Sequence, residues 1–262
     1  MDNHVLAAVM DAAHAAGARI MTDWGMGGAV IRKNDGSPVT DTDKAAEDIV
    51  VAALRSIAPH TIVAEEAAHA GARYVLSDDP FWLVDALDGT RAFIAGFKDF
   101  TVNIALIDKG EPVLGVIHAP AFNESWYAMA GCGAYRFING EAVRINMRAT
   151  PDEGYHILSG VRSAEPVVLE PFIGAHQIAQ RYKRQSSLKF CMLAQGDFDL
   201  YPRLGHTSEW DTAAGDIIIR EAGGAVLDLN TRQPIQYGKI HRKFQNDGFI
   251  AGSRDAFRIA TL

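Results

Sequence analysis

Residues 82–90 read WLVDALDGT, an apolar run that changes abruptly into two aspartates three positions apart. The run is typical of a buried strand, whereas the carboxylates of Asp85 and Asp88 are oxygen ligands of the kind that Mg²⁺ prefers. Two carboxylates at positions i and i+3 of a turn can point into one pocket, and the carbonyl group of Leu87 can point there too. Gly89 lets the chain turn sharply beside a metal ion or a phosphate. The stretch therefore predicts a strand that ends in metal ligands.

Further acidic residues follow other predicted elements. Asp43 ends the stretch SPVTDTD, Glu65 and Glu66 follow the predicted strand TIVA, and Asp211 opens a predicted helix in WDTAAGD. A helix N-terminus favours phosphate because it presents free N–H groups and partial positive charge. The hydroxyl group of Thr90 can orient a water molecule for attack. Two metal ions about 3.5–4 Å apart would then clamp the attacking and leaving oxygens of a phosphate ester.

Each acidic position taken alone has an ordinary explanation. Asp43 and Asp211 fit helix N-caps, the glutamate pair fits a solvated loop, and the acids of WLVDALDGT fit a simple turn. An EF-hand calcium loop is excluded, because Leu87 stands where that motif needs an aspartate or asparagine. The occurrence of all four features in this order is what indicates a metal-dependent phosphate site.

Composition limits the class of protein. The chain has 262 residues, is 48% hydrophobic and 22% charged, and carries a net charge of −7, which fits one large or two small globular domains. The acidity argues against a nucleic-acid binder and still allows a small anionic substrate. Cys132 and Cys191 have no nearby cysteine or histidine partner for zinc. No window approaches the ~20 apolar residues of a membrane span, so we expect a cytoplasmic protein without one.

The pattern of elements changes near residue 150. Two helices, 3–24 and 43–57, open the chain, and Thr42 or Asp43 is expected to cap the second. A mostly antiparallel set of strands follows, and beyond residue 150 strands and helices alternate as in an α/β layer. We therefore expect an N-terminal half, 1–148, with most metal ligands and a C-terminal half, 149–262, with Asp211 and the specificity residues, forming one catalytic unit.

The individual elements follow from hydrophobic periodicity and turn residues. The strands predicted in the first half are 61–64, 81–84, 100–107, 112–119, 125–130 and a hairpin over 133–147 that turns at Asn139-Gly140. The elements predicted in the second half are strands at 156–159, 180–184, 198–202, 224–228 and 248–251, and helices at 166–175, 187–195 and 211–222.

These motifs resemble the lithium-sensitive, magnesium-dependent phosphatases of the inositol monophosphatase superfamily. The family run D-P-x-D-G-T appears as DALDGT at 85–90, and the run W-D-x-x-A-G appears as WDTAAG at 210–215. The glutamate pair stands at 65–66, and V-T-x-x-D appears as VTDTD at 39–43. The likeness covers residues 30 to 252. The resemblance implies a fold of the α+β or α/β class. Its expected architecture is the layered αβαβα sandwich of the inositol monophosphatase and fructose-1,6-bisphosphatase type.

The resemblance also implies which residues bind Mg²⁺. Glu65, Asp85 and the Leu87 carbonyl would hold one ion, and Asp85, Asp88 and Asp211 would hold a second. Glu65 would support a weaker third ion. The count is therefore two to three ions.

The same resemblance assigns roles around the reacting phosphate. Asp43, Glu65 and Thr90 are the implied catalytic residues, of which Asp43 and Thr90 would position and deprotonate the attacking water. Gly89 and Thr90 would offer backbone N–H groups to the phosphate. The implied reaction is an in-line displacement without a covalent intermediate.

Within the superfamily, the chain resembles the bacterial CysQ-type 3′(2′),5′-bisphosphate nucleotidases. The supporting stretches are 34–43, 100–120, 186–216 and 246–251. The implied reaction removes the 3′-phosphate of adenosine 3′,5′-bisphosphate, or of its phosphosulfate, to give a 5′-nucleotide and phosphate. An inositol monophosphatase, a sugar phosphate phosphatase, and a metal-binding protein without catalysis are the alternatives. Relatives occur as monomers and dimers, so a homodimer is also open.

Substrate recognition is expected in the second half. The stretches SSLK and YPR resemble the family contacts to the second phosphate, which would fall on Ser186, Lys189 and Arg203; the alternative is that the two cations are ordinary surface charges. Arg162 stands where related nucleotidases often carry histidine near the nucleotide, and it could bind phosphate or stack on the base. Ala86 replaces the usual proline between the two aspartates, which predicts a less rigid turn.

Overall fold

The computed structural model describes residues 3–26, 30–32, 38–160, 177–254 and 256–257. The α-helices of these residues are α1 (Asn3–Asp23), α2 (Asp41–Ile57), α3 (Glu65–His69), α4 (Thr90–Ile94), α5 (Leu188–Ala194) and α6 (Ala213–Glu221). Short 3-10 turns span Glu209–Asp211 and Ile240–Arg242. Within the described part of the chain, no helix combines the length and the apolar character of a membrane span.

The strands fall into two main sheets and two small pairs. Those of the first half are β1 (Val30–Arg32), β2 (Pro38–Thr40), β3 (Thr61–Ala64), β4 (Phe81–Asp88), β5 (Thr101–Asp108), β6 (Glu111–Ala119), β7 (Glu124–Met129), β8 (Gly133–Ile138) and β9 (Glu141–Ile145). Those of the second half are β10 (Tyr155–Gly160), β11 (Ile178–Arg184), β12 (Leu200–Arg203), β13 (Thr207–Ser208), β14 (Gly224–Asp228), β15 (Gln245–Asn246) and β16 (Phe249–Ser253).

Helices and sheets alternate in layers. The larger sheet has the order β3-β4-β5-β6-β7-β8-β9, parallel at β3-β4 and antiparallel elsewhere, and the smaller has the order β11-β10-β12-β16-β14. Helices α1 and α2 pack on one face of the larger sheet, while α5 and α6 lie between the two sheets. The layered α+β fold expected from the sequence is confirmed. The division at 148/149 stays a prediction, with the two sheets on either side of it.

The central strands are apolar on both faces because helices cover both sides of the larger sheet. Trp82 and Val84 point into the cluster formed with α1 and α2, whereas Phe81 and Leu83 point into the cluster shared with α5 and α6. Side chains alternate between faces along a strand, so a strand covered on both faces reads as one continuous apolar run. The cover on both faces explains why the consecutive residues Trp82, Leu83 and Val84 are all apolar.

Most predicted elements are present within a few residues of their expected bounds. The hairpin turn at Asn139-Gly140 is confirmed, with φ of 53° and 83° as a type I′ turn requires. The strand predicted at 81–84 is longer than expected, because β4 continues through both aspartates to Asp88. The acids therefore belong to the strand rather than to a turn after it. The helix predicted at 166–175 lies outside the described residues.

Two histidines, the buried His118 and the half-buried His14, lie between α1 and the larger sheet, and neither lines the cavity that holds the acidic cluster. The His118 ring is 5% exposed and contacts the Ser125 hydroxyl and the Glu124 carbonyl oxygen at 2.9 and 3.0 Å. The His14 ring meets it edge-on at 4.7 Å. Burial, aided by the neighbouring His14, lowers the pKa of His118 to about 4. The folded protein therefore keeps His118 neutral.

This neutral His118 should make stability depend on pH. Between pH 6.5 and about 4 the unfolded chain binds a proton at His118 that the folded chain does not, so stability is lost as the pH falls. The loss amounts to about 3 kcal/mol over that range. We expect the His118→Asn variant, which keeps a polar group near Ser125, to lose less stability than the wild type between pH 7 and pH 5. Urea unfolding at each pH measures this, and parallel curves would contradict the assignment.

Candidate active site

Three carboxylates from distant parts of the chain meet at one end of the larger sheet. One carboxylate oxygen each from Glu65, Asp85 and Asp211 lies within 4.8 Å of the other two. Strands β3 and β4 are parallel neighbours with Ala64 opposite Val84, so Glu65, the first residue after β3, lies beside Asp85 of β4. Asp211 arrives from the second half of the chain, in the 3-10 turn before α6. Together they form a set of hard oxygen donors that fits a divalent cation such as Mg²⁺.

Asp88 shares this site because β4 is irregular. Asp85 pairs with Asn103 and Asp88 with Thr101, so three steps along β4 match two steps along β5. This extra residue is a β-bulge. In a regular strand, side chains at i and i+3 point to opposite faces, and the bulge is what allows both acids to line the same cavity. Ala86 lies between them with its side chain buried in the core.

The acids repel one another strongly in the absence of a cation. Burial, followed by the charges of neighbouring carboxylates, raises the pKa of Asp85 and of Asp211 well above the usual range. Burial also raises the pKa of Asp88, although the nearby Lys189 ammonium opposes the shift. Bringing like charges together in a poorly hydrated place is unfavourable unless an opposite charge compensates. A bound divalent cation would supply that charge.

Asp43 is linked to Thr90 at the edge of the site. The Thr90 hydroxyl lies 2.9 Å from Asp43 Oδ1 and 3.2 Å from the Leu87 carbonyl oxygen. Asp43 Oδ2 accepts hydrogen bonds from the backbone N–H and the hydroxyl of Thr40 at 2.7 and 2.6 Å. The expectation that Thr42 or Asp43 caps α2 was wrong: Thr40 is the N-cap and Asp43 is the third helical residue of a capping box. Asp43 therefore joins α2 to the first residue of α4, Thr90.

Gly89 could not be replaced by a larger residue without moving the chain. Its φ is +92°, and a Cβ atom would lie 2.7 Å from the Asp99 carbonyl oxygen. Gly89 is also the N-cap of the short helix α4, which Thr90 begins. The first N–H groups of a helix have no intrahelical acceptor, so this turn leaves backbone donors beside the acids.

A buried lysine faces the acids from the second half of the chain. Lys189 is 4% exposed, its ammonium donates to the Ser186 carbonyl oxygen, and it lies 5.0 Å from the centroid of the Tyr201 ring. The Ser187 N–H donates to Asp88 Oδ2 at 2.5 Å. Burial lowers the pKa of Lys189 to about 8, with Asp88 opposing the shift. The alternative that Lys189 is an ordinary surface charge was wrong, because α5 buries it inside the cavity.

These residues line one open cavity of about 640 Å³, in which the acids face Lys189 and Arg203. Arg203 contacts the His206 carbonyl oxygen at 3.4 Å. Of the expected site residues, the structure brings the following to its wall: Glu65, Asp85, Leu87, Asp88, Gly89, Thr90, Ser186, Lys189, Arg203 and Asp211. Asp43 lies behind Thr90. Arg162 lies outside the described residues.

Two buried glutamates support the acids from behind, and sequence reasoning missed both. Glu47 is 7% exposed and accepts the N–H groups of Glu66 and Ala67 at 2.6 and 2.9 Å, which fixes the turn carrying Glu65; burial raises its pKa to about 7. Glu209 is fully buried and accepts two N–H groups of the 238–239 loop, which anchors the 3-10 turn that ends at Asp211. The sequence did carry a signal for Glu47, because this acid stands on the apolar face of α2, four residues after Asp43.

Asp211 does not open its helix as expected. It ends a 3-10 turn and accepts the Ser208 N–H at 3.0 Å, while α6 begins at Ala213 with Thr212 as its N-cap. The capping box of Ser208 and Asp211 closes the short turn first. The carboxylate therefore precedes the helix and reaches towards Glu65 and Asp85.

The chain is similar to known proteins in both its sequence and its architecture. A sequence model of the inositol monophosphatase family matches residues 1–261. The chain belongs to the inositol monophosphatase family. Membership in the inositol monophosphatase family confirms the resemblance inferred from DALDGT and WDTAAG, and makes the chain a phosphatase of a metal-dependent family.

Individual relatives within the inositol monophosphatase family are similar over most of their length. The 3′(2′),5′-bisphosphate nucleotidase CysQ of Aggregatibacter actinomycetemcomitans is 34% identical over 261 residues, covering 98% of this chain and 96% of that protein. The protein of the same name from Escherichia coli (strain K12) is 39% identical over 220 residues, 84% of this chain and 87% of that protein. The crystal structure of CysQ from Bacteroides thetaiotaomicron aligns with a TM-score of 0.75 and 31% identity, covering 97% and 98% of the two chains.

The repulsion among the acids gives a prediction for the metal-free protein. Asparagine at position 211 can still accept the Ser208 N–H, but it removes one of the converging charges. We expect Asp211→Asn to raise the Tm of the metal-free protein by a few degrees at pH 8, since 1 kcal/mol corresponds to about 2–4 °C in a chain of this size.

The same variant should lose most of the Tm increase that Mg²⁺ gives the wild type, because a ligand stabilises only the state that binds it. Thermal unfolding with and without Mg²⁺ measures both effects. Asp48→Asn, an exposed acid on α2 outside the cavity, is the matched control and should behave as the wild type. An unchanged Mg²⁺ response in Asp211→Asn would remove Asp211 from the ligand set.

Proposed function

We propose that this chain is a Mg²⁺-dependent 3′(2′),5′-bisphosphate nucleotidase that hydrolyses the 3′-phosphate of adenosine 3′,5′-bisphosphate to AMP and phosphate. The observation that carries the proposal is one cavity in which a carboxylate cluster faces the buried Lys189 and the guanidinium of Arg203. The acids suit a metal ion at the reacting phosphate, and the cations suit a second anionic group of the same substrate. The relatives named above, which carry this activity in their names, support the substrate class.

We propose that two Mg²⁺ ions bind at the acids. One would lie among Glu65, Asp85 and the Leu87 carbonyl, the other among Asp85, Asp88 and Asp211, and a weaker third would lie beside Glu65. Ions at these places would supply Lewis-acid stabilisation of the phosphoryl oxygens and would lower the pKa of a bound water.

In this proposal, the attacking water is positioned by the protein. Thr90 has a single hydroxyl proton to donate, and its Oγ1 atom lies closer to Asp43 Oδ1 than to the Leu87 carbonyl oxygen. When the hydroxyl donates a hydrogen bond to Asp43, the lone pairs of its oxygen are left to accept a hydrogen bond from the water. The link to Asp43 therefore orients the hydroxyl. The N–H groups of Gly89 and Thr90, at the start of α4, would donate to the phosphate.

The second anionic group of the substrate would lie against the second half of the chain. Ser186, Lys189 and Arg203 all line the cavity, and together they offer a hydroxyl, an ammonium and a guanidinium. The hydrogen bond from the Ser187 N–H to Asp88 fixes this segment relative to the proposed metal ligands. The two phosphates would thus be bound at a defined separation.

The substrate is tested by comparing three esters. We expect the protein to release phosphate faster from adenosine 3′,5′-bisphosphate than from inositol 1-phosphate or fructose 1,6-bisphosphate, with Mg²⁺ titrated in each assay. The Asp88→Asn variant should lose turnover by at least about 10²-fold, the range for removal of one transition-state electrostatic group. Much faster turnover of the inositol ester would establish an inositol phosphatase instead, and unchanged turnover in Asp88→Asn would remove Asp88 from the metal ligands.

The role of Arg203 is tested by varying the number of phosphates. We expect Arg203→Met to raise KM for adenosine 3′,5′-bisphosphate by about 10–100-fold, since a charge-assisted hydrogen bond contributes about 1.5–3 kcal/mol. KM for adenosine 3′-monophosphate, which has no second phosphate, should change little. Arg55→Met, at an exposed position on α2, is the control. An equal rise in KM for both substrates would show that Arg203 does not contact the second phosphate.

A further inference from the structure

A histidine lies one helical turn after Glu65. Helix α3 spans only Glu65–His69, so these two residues occupy positions i and i+4 on the same face. The His69 Nε2 atom lies 3.6 Å from Glu65 Oε1, and the two side chains are 35% and 21% exposed. The imidazole therefore reaches the carboxylate at the solvent side of the acidic cluster.

The His69 ring is also held against the segment that carries Asp211. It meets the Trp210 ring edge-on, with centroids 6.0 Å apart and an interplanar angle of 77°. Trp210 is 4% exposed and directly precedes Asp211. His69 thus contacts both arms of the acidic site, and among the described residues it is the one histidine on the cavity wall.

The geometry of this pair fits a shared metal ion. Protein nitrogen and carboxylate ligands lie about 2.0–2.2 Å from a zinc-like ion, so one ion can bridge two atoms 3.6 Å apart. The i, i+4 spacing is the one that metal-binding helices use to present two ligands on one face. Imidazole is a preferred ligand of later transition metals, whereas Mg²⁺ prefers oxygen.

We propose that His69 is an imidazole ligand which, together with Glu65, binds a divalent transition-metal ion at the solvent edge of the active site. The inference rests on the proposed function insofar as Glu65 is taken there as a metal ligand. The carboxylates deeper in the cavity remain an all-oxygen set suited to Mg²⁺. His69 therefore gives this chain a nitrogen-containing position, at which ions such as Co²⁺ bind more tightly than Mg²⁺.

Metal binding without substrate tests the proposal. Calorimetric titration of the metal-free full chain with Co²⁺ and with Mg²⁺ should show that His69→Gln weakens the tightest Co²⁺ binding by at least about 10-fold, since the loss of even an outer-shell partner of a metal ligand weakens binding by about 10–100-fold. Mg²⁺ binding should stay within about twofold of the wild type by the same measure. The visible d–d spectrum of the Co²⁺-loaded protein should change in the variant, because one nitrogen ligand is lost.

Two further variants separate ligation from packing. His69→Phe keeps a ring against Trp210 and removes both nitrogens, so it should lose Co²⁺ affinity as His69→Gln does while keeping the Tm of the wild type. His60→Gln, before β3 and away from the cavity wall, should bind both ions normally. If both His69 variants keep the wild-type Co²⁺ affinity and spectrum, His69 is an ion-pair partner of Glu65 and the proposal is wrong.

The outcome is independent of the substrate assignment. A protein that binds Co²⁺ through His69 but does not hydrolyse adenosine 3′,5′-bisphosphate would overturn the proposed function and keep this site. A protein that hydrolyses the nucleotide but binds Co²⁺ equally well without His69 would keep the proposed function and overturn this site.

Discussion

The structure depends on the convergence of like-charged carboxylates at one end of the larger sheet. Glu65, Asp85 and Asp211 present oxygens within 4.8 Å of one another, and burial, followed by the charges of neighbouring carboxylates, raises the pKa of the two aspartates well above normal. Such an arrangement is unfavourable by itself, so neighbouring groups must hold the side chains in place. A cation that binds there would meet carboxylates that are already positioned. Side chains that are held in place before binding lose less conformational freedom when they bind an ion.

The groups that hold the acids follow one physical pattern. Buried glutamates accept pairs of backbone N–H groups from the turns that carry or adjoin the ligands: Glu47 does so for the turn after Glu65, and Glu209 for the loop beside the Asp211 turn. A carboxylate that accepts such hydrogen bonds satisfies donors which would otherwise be buried without a partner. The turns are therefore fixed by the core itself. This lets short segments, including a five-residue helix and a three-residue 3-10 turn, present side chains as rigidly as a longer element would.

The cavity combines carboxylates with cations, and this combination relates the fold to the proposed substrate. Acids from the first half of the chain and Asp211 line it together with Lys189 and Arg203 from the second half. The hydrogen bond from the Ser187 N–H to Asp88 joins the segment that carries Lys189 to the acids. Such a cavity suits a small molecule with two phosphates, of which one approaches metal ions and the other approaches the cations. A net-acidic chain can bind such an anion because the local field, rather than the total charge, acts on it.

The sequence by itself determined the layered fold, the main strands and the acidic residues that converge at the site. Continuous apolar runs marked strands covered on both faces, Asn139-Gly140 marked a tight hairpin, and DALDGT with WDTAAG marked the site. Only the tertiary structure decided that a bulge places Asp85 and Asp88 in one cavity, that Thr40 caps α2, that Lys189 is buried, and that Glu47 and His69 adjoin Glu65. The reason is physical. Periodicity and turn chemistry are local properties of the sequence, whereas bulges, burial and pairing depend on which distant segment lies opposite. A local pattern does not specify that segment.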